Sequence, residues 1–363
     1  MVSPSVNRNP AMSLFSSARK VLEHRRIEAS APCRVDSGGT WDIRSMALPM
    51  QPIEPLTLNI ALSLRTRVVL LPLEDGMVRV LSEGFPDKEA YDYKTVPFDS
   101  PFGLFYAAAS WFGFHGLEIR IASDSPAKAA LGGSSTALVA LIKALSKLAV
   151  LTGKAPLSQK DILHLSYQVE DSTSSGKCGI QDQAAAVFGG VNLWRWRFGS
   201  RHSPYERTLL LDRKGQAELS GHLLVAFSGK IHVSAGINQG WLEEFLSGKT
   251  RTGWIEANQI VRRLAQAMAG RKWDRAASLL REEMAVRRAI TPDALIPVTN
   301  RLIQQAEEVG CGARFAGAGA GGSVWALGKK ERIQELRSLW SSALAPIRGA
   351  GILDCTVDSR GVR

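Results

Sequence analysis

This chain is short of the residues that build covalent frameworks. Of its 363 residues four are cysteine, Cys33, Cys178, Cys311 and Cys355, and six are histidine. The cysteines form no C-x-x-C pair and have no histidine cluster beside them, so neither a zinc site nor a disulfide framework is indicated, and a reducing cytoplasm fits. No apolar run reaches membrane-spanning length without a charge, and residues 1–27 lack the apolar core of a signal peptide, so no membrane role is expected. That opening piece is rich in Ser and Arg and poor in acid, and it reads as a disordered tail ahead of a start near Met12. Acidic residues are outnumbered 34 to 45 by Lys and Arg, which gives a formal charge of +11. Much of the excess lies in Arg262, Arg263, Arg271, Lys272, Arg275, Arg281, Arg287 and Arg288, spread along an amphipathic helical region rather than gathered in one run. A solvated helix face explains them, and with no recognition module visible, nucleic acid is set aside as a partner.

What the chain does have is apolar bulk and glycine. A 45% hydrophobic composition over this length can bury one large core or two ordinary ones, and we expect two domains, with a monomer or a homodimer equally compatible. Two small-residue loops stand out: residues 129–136, Ala-Ala-Leu-Gly-Gly-Ser-Ser-Thr, and residues 317–323, Gly-Ala-Gly-Ala-Gly-Gly-Ser. The first runs into an Ala- and Leu-rich stretch that favours helix, so Gly132 and Gly133 sit just before a helix N-terminus. There the first N–H groups have no intrahelical partner and the dipole is positive, an arrangement that can hold a phosphate by main chain alone. The plainer alternative is that Ser134 or Ser135 only caps the helix, a contribution of about 1 kcal/mol.

Familiar nucleotide motifs fail on inspection. Gly248-Lys-Thr250 offers the end of a P-loop, but Glu243 occupies the position of its first Gly. The second loop spells G-x-G-x-x-G through Gly317, Gly319 and Gly322, yet a short β-prone segment follows where a dinucleotide site would open a helix. The same letters suit a protein-kinase glycine loop, but no H-R-D or D-F-G follows.

Four segments together carry a resemblance. Residues 31–42, Ala-Pro-Cys-Arg-Val-Asp-Ser-Gly-Gly-Thr-Trp-Asp, are similar to a sugar-kinase opening A-P-x-R-V-D/N followed by glycines and an Asp. Residues 126–136 resemble P-x-x-x-G-L-G-S-S-A, and residues 312–323 resemble G-A-K-x-x-G-A-G-x-G-G. Residues 179–190 resemble the G-x-Q-D-Q-x-x-A-x-x-G-G stretch of heptose-phosphate kinases and fucokinases. On these the chain resembles the GHMP kinases, the family of galactokinase, homoserine kinase and mevalonate kinase. It departs from the pattern at Ala130, where the family's first loop carries Gly, and at Gly133, where its first Ser stands.

The resemblance implies an α+β fold of two domains: an N-terminal ATP-binding domain over 28–200 and a ferredoxin-like C-terminal domain over 215–363, with the active site in the cleft between them. It implies ATP and Mg²⁺ as cofactors, and a basic surface would help steer such anions. Leu131, Gly132, Gly133, Ser134 and Ser135 would hold the triphosphate, with Gly317, Gly319 and Gly321 as a second main-chain wall. Ser134 aligns with the family's magnesium serine and Glu170 would be its partner. Glu170 shares a helical stripe with Leu163 and Tyr167, where a carboxylate is costly unless paired or metal-bound. Asp182 would take the proton from the acceptor hydroxyl with Arg34 beside it, although from the residues alone Asp182 could be a helix N-cap. Asp36, Gly39 and Asp42 would contact the substrate, although Asp beside Gly is also ordinary turn chemistry.

The acceptor expected is a small molecule, a sugar or sugar phosphate phosphorylated at its anomeric hydroxyl, of heptose 7-phosphate or fucose type. Galactose is the lesser candidate because Gly39-Thr-Trp-Asp42 replaces the G-E-H-x-D of galactokinases. Two other outcomes are a catalytically silent sugar-sensing regulator of the same fold and a decarboxylase of phosphorylated mevalonates.

The coarse pattern predicts strands over 56–73, 117–121, 221–228 and 351–357. Helices are predicted over 102–114, from Ser158 with Asp161 as a capping-box acid to Thr173, from 234 to 288 with a break near Gly270, and over 332–344. Thr291 and Pro292 are predicted as N-cap and first residue of a further helix ending at Gly310.

Overall fold

The structure, a computed structural model, describes residues 15–38, 41–85, 90–174, 176, 178–231 and 234–363, with the side chains at 234–236 and 238 outside the description. Its backbone is organised around one 17-residue strand, Leu56–Pro72, whose β-branched and leucine residues are buried almost end to end. Strand Ile27–Ser37 lies antiparallel along it, while Val191–Trp196 and Leu117–Ser123 pair with its first and second halves. Met77–Ser82, Ala90–Asp92 and Tyr205–Leu209 complete the sheet. Against it pack the helices Gly103–Phe112, Gly133–Leu151, Gln159–Thr173 and Gln181–Phe188. Gly133–Leu151 is long and apolar enough to cross a membrane by composition, but it is the buried core helix of this unit.

The second unit has a four-stranded antiparallel sheet in the order Gly312–Phe315, Ser323–Leu327, Leu223–Phe227, Gly351–Ile352. Its helices are Arg251–Ala269, Trp273–Ile290, Pro297–Glu308 and Lys330–Leu344, with Ser234–Leu246 at the edge nearest the first unit. The two units share apolar contacts: Leu58 and Ile60 of the long strand belong to the same buried cluster as Val261, Leu264, Val225 and Trp325. Asn258 fixes the seam. It accepts the N–H of Leu56 at 2.8 Å and donates to the carbonyls of Ile53 and Glu54.

Several local expectations hold in detail. Ser158 caps Gln159–Thr173 with Asp161 in a reciprocal capping box, and the strand over 117–121 extends to Ser123. Others need correction. The helix expected from Thr291 breaks into a 3₁₀ turn, Pro292–Ala294, and the helix proper starts at Pro297. Pro297 forces Ile296 into extended backbone at φ −98° and ψ 160°, which ends any helix before it. The expected closing strand is only Gly351–Ile352, after which the chain crosses back to the first unit. Residues 1–14 lie outside the described residues, but the expected tail does not extend to 27. Strand Ser16–Ser17 pairs with Phe114–His115 and helix Arg19–His24 buries Leu22.

Residues 353–363 form that return path. Leu62 and Val357 make a bridge, Gly190 N–H donates to the Asp358 carbonyl, and Ser30 and Arg363 exchange both backbone hydrogen bonds. Arg65 binds Asp358 together with the carbonyls of Arg360 and Gly361, and Val362 N–H reaches Val187 at the end of helix Gln181–Phe188.

Candidate active site

A cavity of about 970 Å³ lies between the units, lined by both small-residue loops, by Arg34, Asp42, Glu170, Cys178, Gln181 and Asp182, and by Trp241. Phe85, Pro101, Phe102, Phe105 and Ile121 contribute apolar lining.

The first loop heads helix Gly133–Leu151, and Gly132 is its N-cap in left-handed backbone at φ +76°. The glycine is required twice. A side chain there would be strained, and a Cβ would stand 3.1 Å from Asp182 Oδ2. Gly133 has open space before it, so the helix head faces the cavity unobstructed. Ala130 adopts φ +62° and Lys128 φ +57°, unusual backbone for residues with side chains.

Arg34 sits on strand Ile27–Ser37 just past an irregularity at Pro32, which lacks the N–H needed for regular pairing and re-aims the residues after it. Its backbone N–H donates to the Leu131 carbonyl at 3.1 Å and its Nη1 to the Ala130 carbonyl at 2.7 Å. The guanidinium closes on Asp182 Oδ1 at 2.6 Å from both Nε and Nη2. Burial works against the charge on Arg34, but Asp182 and Asp36 outweigh it and hold the guanidinium above its usual pKa. Asp182 lies in the first turn of helix Gln181–Phe188, whose N-cap is Ile180, so the capping alternative is excluded and the carboxylate is directed to Arg34.

Glu170 is reached from helix Gln159–Thr173. Its Oε1 accepts the hydroxyl of Ser135 at 2.9 Å and its Oε2 the amide of Gln183 at 2.7 Å. The serine hydrogen-bonded to Glu170 is Ser135, next to Ser134, the residue expected to share a magnesium ion with Glu170. The helix begins at Gly133, which turns Ser135 inward on the face of Val139 and Ile142 and leaves Ser134 exposed at the cavity. Burial pushes the Glu170 carboxyl up to about 7; the Ser135 bond pulls it back and the charge on Asp182 adds to the rise. A cation placed there would relieve both effects. Among the described residues no group of three His, Cys, Asp or Glu side chains gathers around a metal position. The hydroxyl and carboxylate donors fit a hard divalent ion that takes its remaining ligands from phosphate and water.

Asp42 also lines the cavity, buried, and its Oδ2 accepts the N–H of Gln181 at 3.1 Å. Burial, reinforced by Asp182, pushes its carboxyl up to about 7. Gly179 must be glycine beside it, because a Cβ would come within 1.9 Å of Asp42 Oδ2. Gly39 falls outside the described residues.

Three expectations do not survive. Asp36 is fully buried and does not line the cavity; its oxygens are taken by Arg314 and by the N–H of Gly317, so it is not a substrate ligand. Of the second loop only Gly317 and Ala318 face the cavity. A Cβ on Gly319 would meet the Ala294 carbonyl at 2.5 Å and one on Gly321 the Ile231 carbonyl at 2.9 Å, so these glycines serve packing inside the second unit. Arg287 is likewise no solvated residue of a helix face. It is buried against the rings of Trp254 and Trp241 at 4.2 and 4.5 Å, and burial together with Arg314 lowers it to about 9. Sequence reasoning missed Gln183, although it stands in the Q-D-Q segment, and Arg314, which occupies the Lys position of the third motif.

Comparison with known proteins gives matches to the GHMP kinases N terminal domain over residues 103–190 and to the GHMP kinases C terminal domain over residues 261–345. The D-glycero-alpha-D-manno-heptose 7-phosphate kinase of Campylobacter jejuni is 30% identical over 180 residues, 47% of this chain and 50% of that protein. The match thus spans about half the length of that curated relative. In structure the chain is similar to Lactococcus lactis galactokinase complexed with galactose, with a TM-score of 0.73 and 16% identity over 94% of this chain and 95% of that one. It is also similar to Streptococcus pneumoniae phosphomevalonate kinase in complex with phosphomevalonate and AMPPNP, with a TM-score of 0.73 and 16% identity over 92% of this chain and 100% of that one.

Proposed function

Because this chain belongs to the GHMP kinase family, whose members are ATP-dependent, we propose that it transfers the γ-phosphate of ATP to a hydroxyl of a sugar or sugar phosphate. The anomeric hydroxyl of a heptose 7-phosphate or of fucose is the favoured acceptor. The observation that carries this reading is the Arg34–Asp182 pair, held 2.6 Å apart and directly against the glycine at the head of the loop-bearing helix. A proton acceptor and a phosphate-binding helix N-terminus then face the same space, as transfer to a hydroxyl requires.

In this reading the amides of residues 131–135 hold the phosphates and the Ser134 hydroxyl lies along them. Asp182 accepts the hydroxyl proton while Arg34, fixed by the carbonyls of Ala130 and Leu131, orients its carboxylate and faces the charge developing on the transferred group. Glu170 and Ser135 would hold Mg²⁺, which when bound neutralises phosphate charge. Asp42 accepts from the acceptor's hydroxyls, and Gly317 with Ala318 closes the cavity from the second unit. The 30% identity to a heptose 7-phosphate kinase supports the choice of acceptor.

The test is ADP release from ATP and Mg²⁺ over a panel of heptose phosphates, fucose, galactose and mevalonate, with Asp182→Asn in parallel. Turnover on a sugar or sugar phosphate that the variant loses is the expected result. ATP binding with silence across the panel would replace the proposal with a regulatory role.

A further inference from the structure

Strand Ile27–Ser37 sends Arg34 and Asp36 to the same face, two residues apart, and each is tied to a different loop. Arg34 holds the first loop and Asp182. Asp36, fully buried, accepts the N–H of Gly317 on Oδ1 at 2.9 Å and Arg314 Nη1 on Oδ2 at 3.1 Å. Its own carbonyl accepts from Arg314 and from Trp325 Nε1. Arg314, also fully buried, uses Nε to bind both oxygens of Glu283. The ties thus run from the first unit's strand to the second unit's sheet and helix Trp273–Ile290. Gly317 in turn is fitted closely: a Cβ on it would lie 3.2 Å from the Ala130 carbonyl and 3.4 Å from Arg34 Nη2.

We propose that Asp36 is a positioning residue that fixes the Gly317 amide against the first loop and Arg34, so that the second unit's wall of the cavity is set by a carboxylate of the first unit. This rests on the kinase reading for its effect on turnover, but the tether itself is a property of the fold. A buried carboxylate whose oxygens are shared between a buried arginine and one main-chain amide has little freedom to move, and removing it would leave Arg314 with half of its charge compensation. A loop released by even 1 Å at a site of transfer costs about 100-fold in rate.

The experiment separates positioning from folding by working in an Arg314→Met background. With Asp36 neutral as well, Glu283 keeps the charge of Arg287 four residues on as its counterpart, and the buried charges balance. Asp36→Asn in that background retains an oxygen for the Gly317 N–H, whereas Asp36→Leu does not. With matched melting temperatures, the Leu variant is expected to lose about 100-fold in kcat and the Asn variant about tenfold or less. Affinity for Mg²⁺ and a non-hydrolysable ATP analogue, measured by calorimetry, should be alike in both, because the first loop is intact. Amide exchange over residues 316–319, measured without any substrate, should speed up in the Leu variant alone. Equal exchange in the two variants overturns the tether whether or not the protein turns anything over. Equal kcat with unequal exchange overturns its role in positioning. A wild-type protein silent on every acceptor, with the exchange contrast present, discards the kinase reading and keeps the tether.

Discussion

The two small-residue loops look alike on paper and behave oppositely in the fold. The first places residues with side chains, Lys128 and Ala130, in left-handed backbone and turns its open glycine, Gly133, to the cavity. The second has positive φ at Gly317, Gly319, Gly321 and Gly322 and also at Ala320, yet most of its glycines face protein. Gly322 is pressed on the first loop itself, where a Cβ would stand 2.5 Å from Ala130 Cβ and 2.9 Å from the Ala129 carbonyl. Glycine richness therefore reports close backbone approach, and only the element that follows tells whether a ligand or the protein is approached. A helix follows the first loop and supplies a positive N-terminus; a strand follows the second and supplies none.

If the first loop is the chemical side, the largest effect should come from the carboxylate lying on it. Asp182→Asn is expected to lower kcat by about 10² to 10⁴ while nucleotide affinity, read by calorimetry, stays within a few-fold. An active Asn variant would break the comparison at its strongest point. Next in size, Gly322→Ala should destabilise the fold by about 2–4 kcal/mol, because strain at φ +69° adds to the collision with residues 129–130. Ala130→Gly should recover part of that loss in the double variant, which a denaturation-based cycle would detect; additive effects would show that the loops do not touch.

Asp42, bonded to the N–H of Gln181 beside Asp182, gives a pH signature. Its carboxyl is raised to about 7 against an unfolded value of 3.8, first by burial and then by Asp182. Its contribution to stability is thus fully present below pH 3.8 and is lost as pH rises through 7. The melting temperature of Asp42→Asn should accordingly fall less between pH 4 and pH 7 than that of the wild type, by the equivalent of ~1–3 kcal/mol. Parallel curves would remove the buried-carboxylate account. Smallest of all, Ala130→Gly alone should raise stability by about 0.5 kcal/mol, the relief of left-handed strain exceeding the entropy lost to a freer unfolded chain.

The parts of the site that were legible in the sequence are those fixed by chemistry at short range. Ser158 with Asp161 announces a helix start, and the segment after Gly133 announces the helix that puts a free N-terminus behind the first loop. Arg34 and Asp182 are read from motifs and Glu170 from its place on a helical stripe, and the fold brings all three to one cavity. What could not be read is phase and partnership at a distance. One residue in the starting point of a helix decides whether Ser134 or Ser135 turns to Glu170. Asp36 looks like a loop carboxylate until strand pairing and Arg314, 278 residues away, enclose it. Arg287 follows the polar pattern of its helix, and only the packing of Trp241, Trp254 and Phe315 from other elements shows that it is interior.

The return path of residues 353–363 bears on the order in which the molecule is made. Arg65, on the central strand of the first unit, finds its partners Asp358, Arg360 and Gly361 more than 290 residues later, and Val362 meets Val187 at the end of the helix that begins beside Asp182. During synthesis the first unit leaves the ribosome long before these residues exist, and it must wait with the Arg65 side chain bonded only to Ser30, without its carboxylate partner, and with one edge uncovered. Closure by contacts of such long range is a slow and late step. A ribosome halted before residue 358 would therefore display the first small-residue loop with helices Gly133–Leu151 and Gln181–Phe188 while lacking the strap that completes them. Protease resistance of the first unit should rise only once the final segment has emerged.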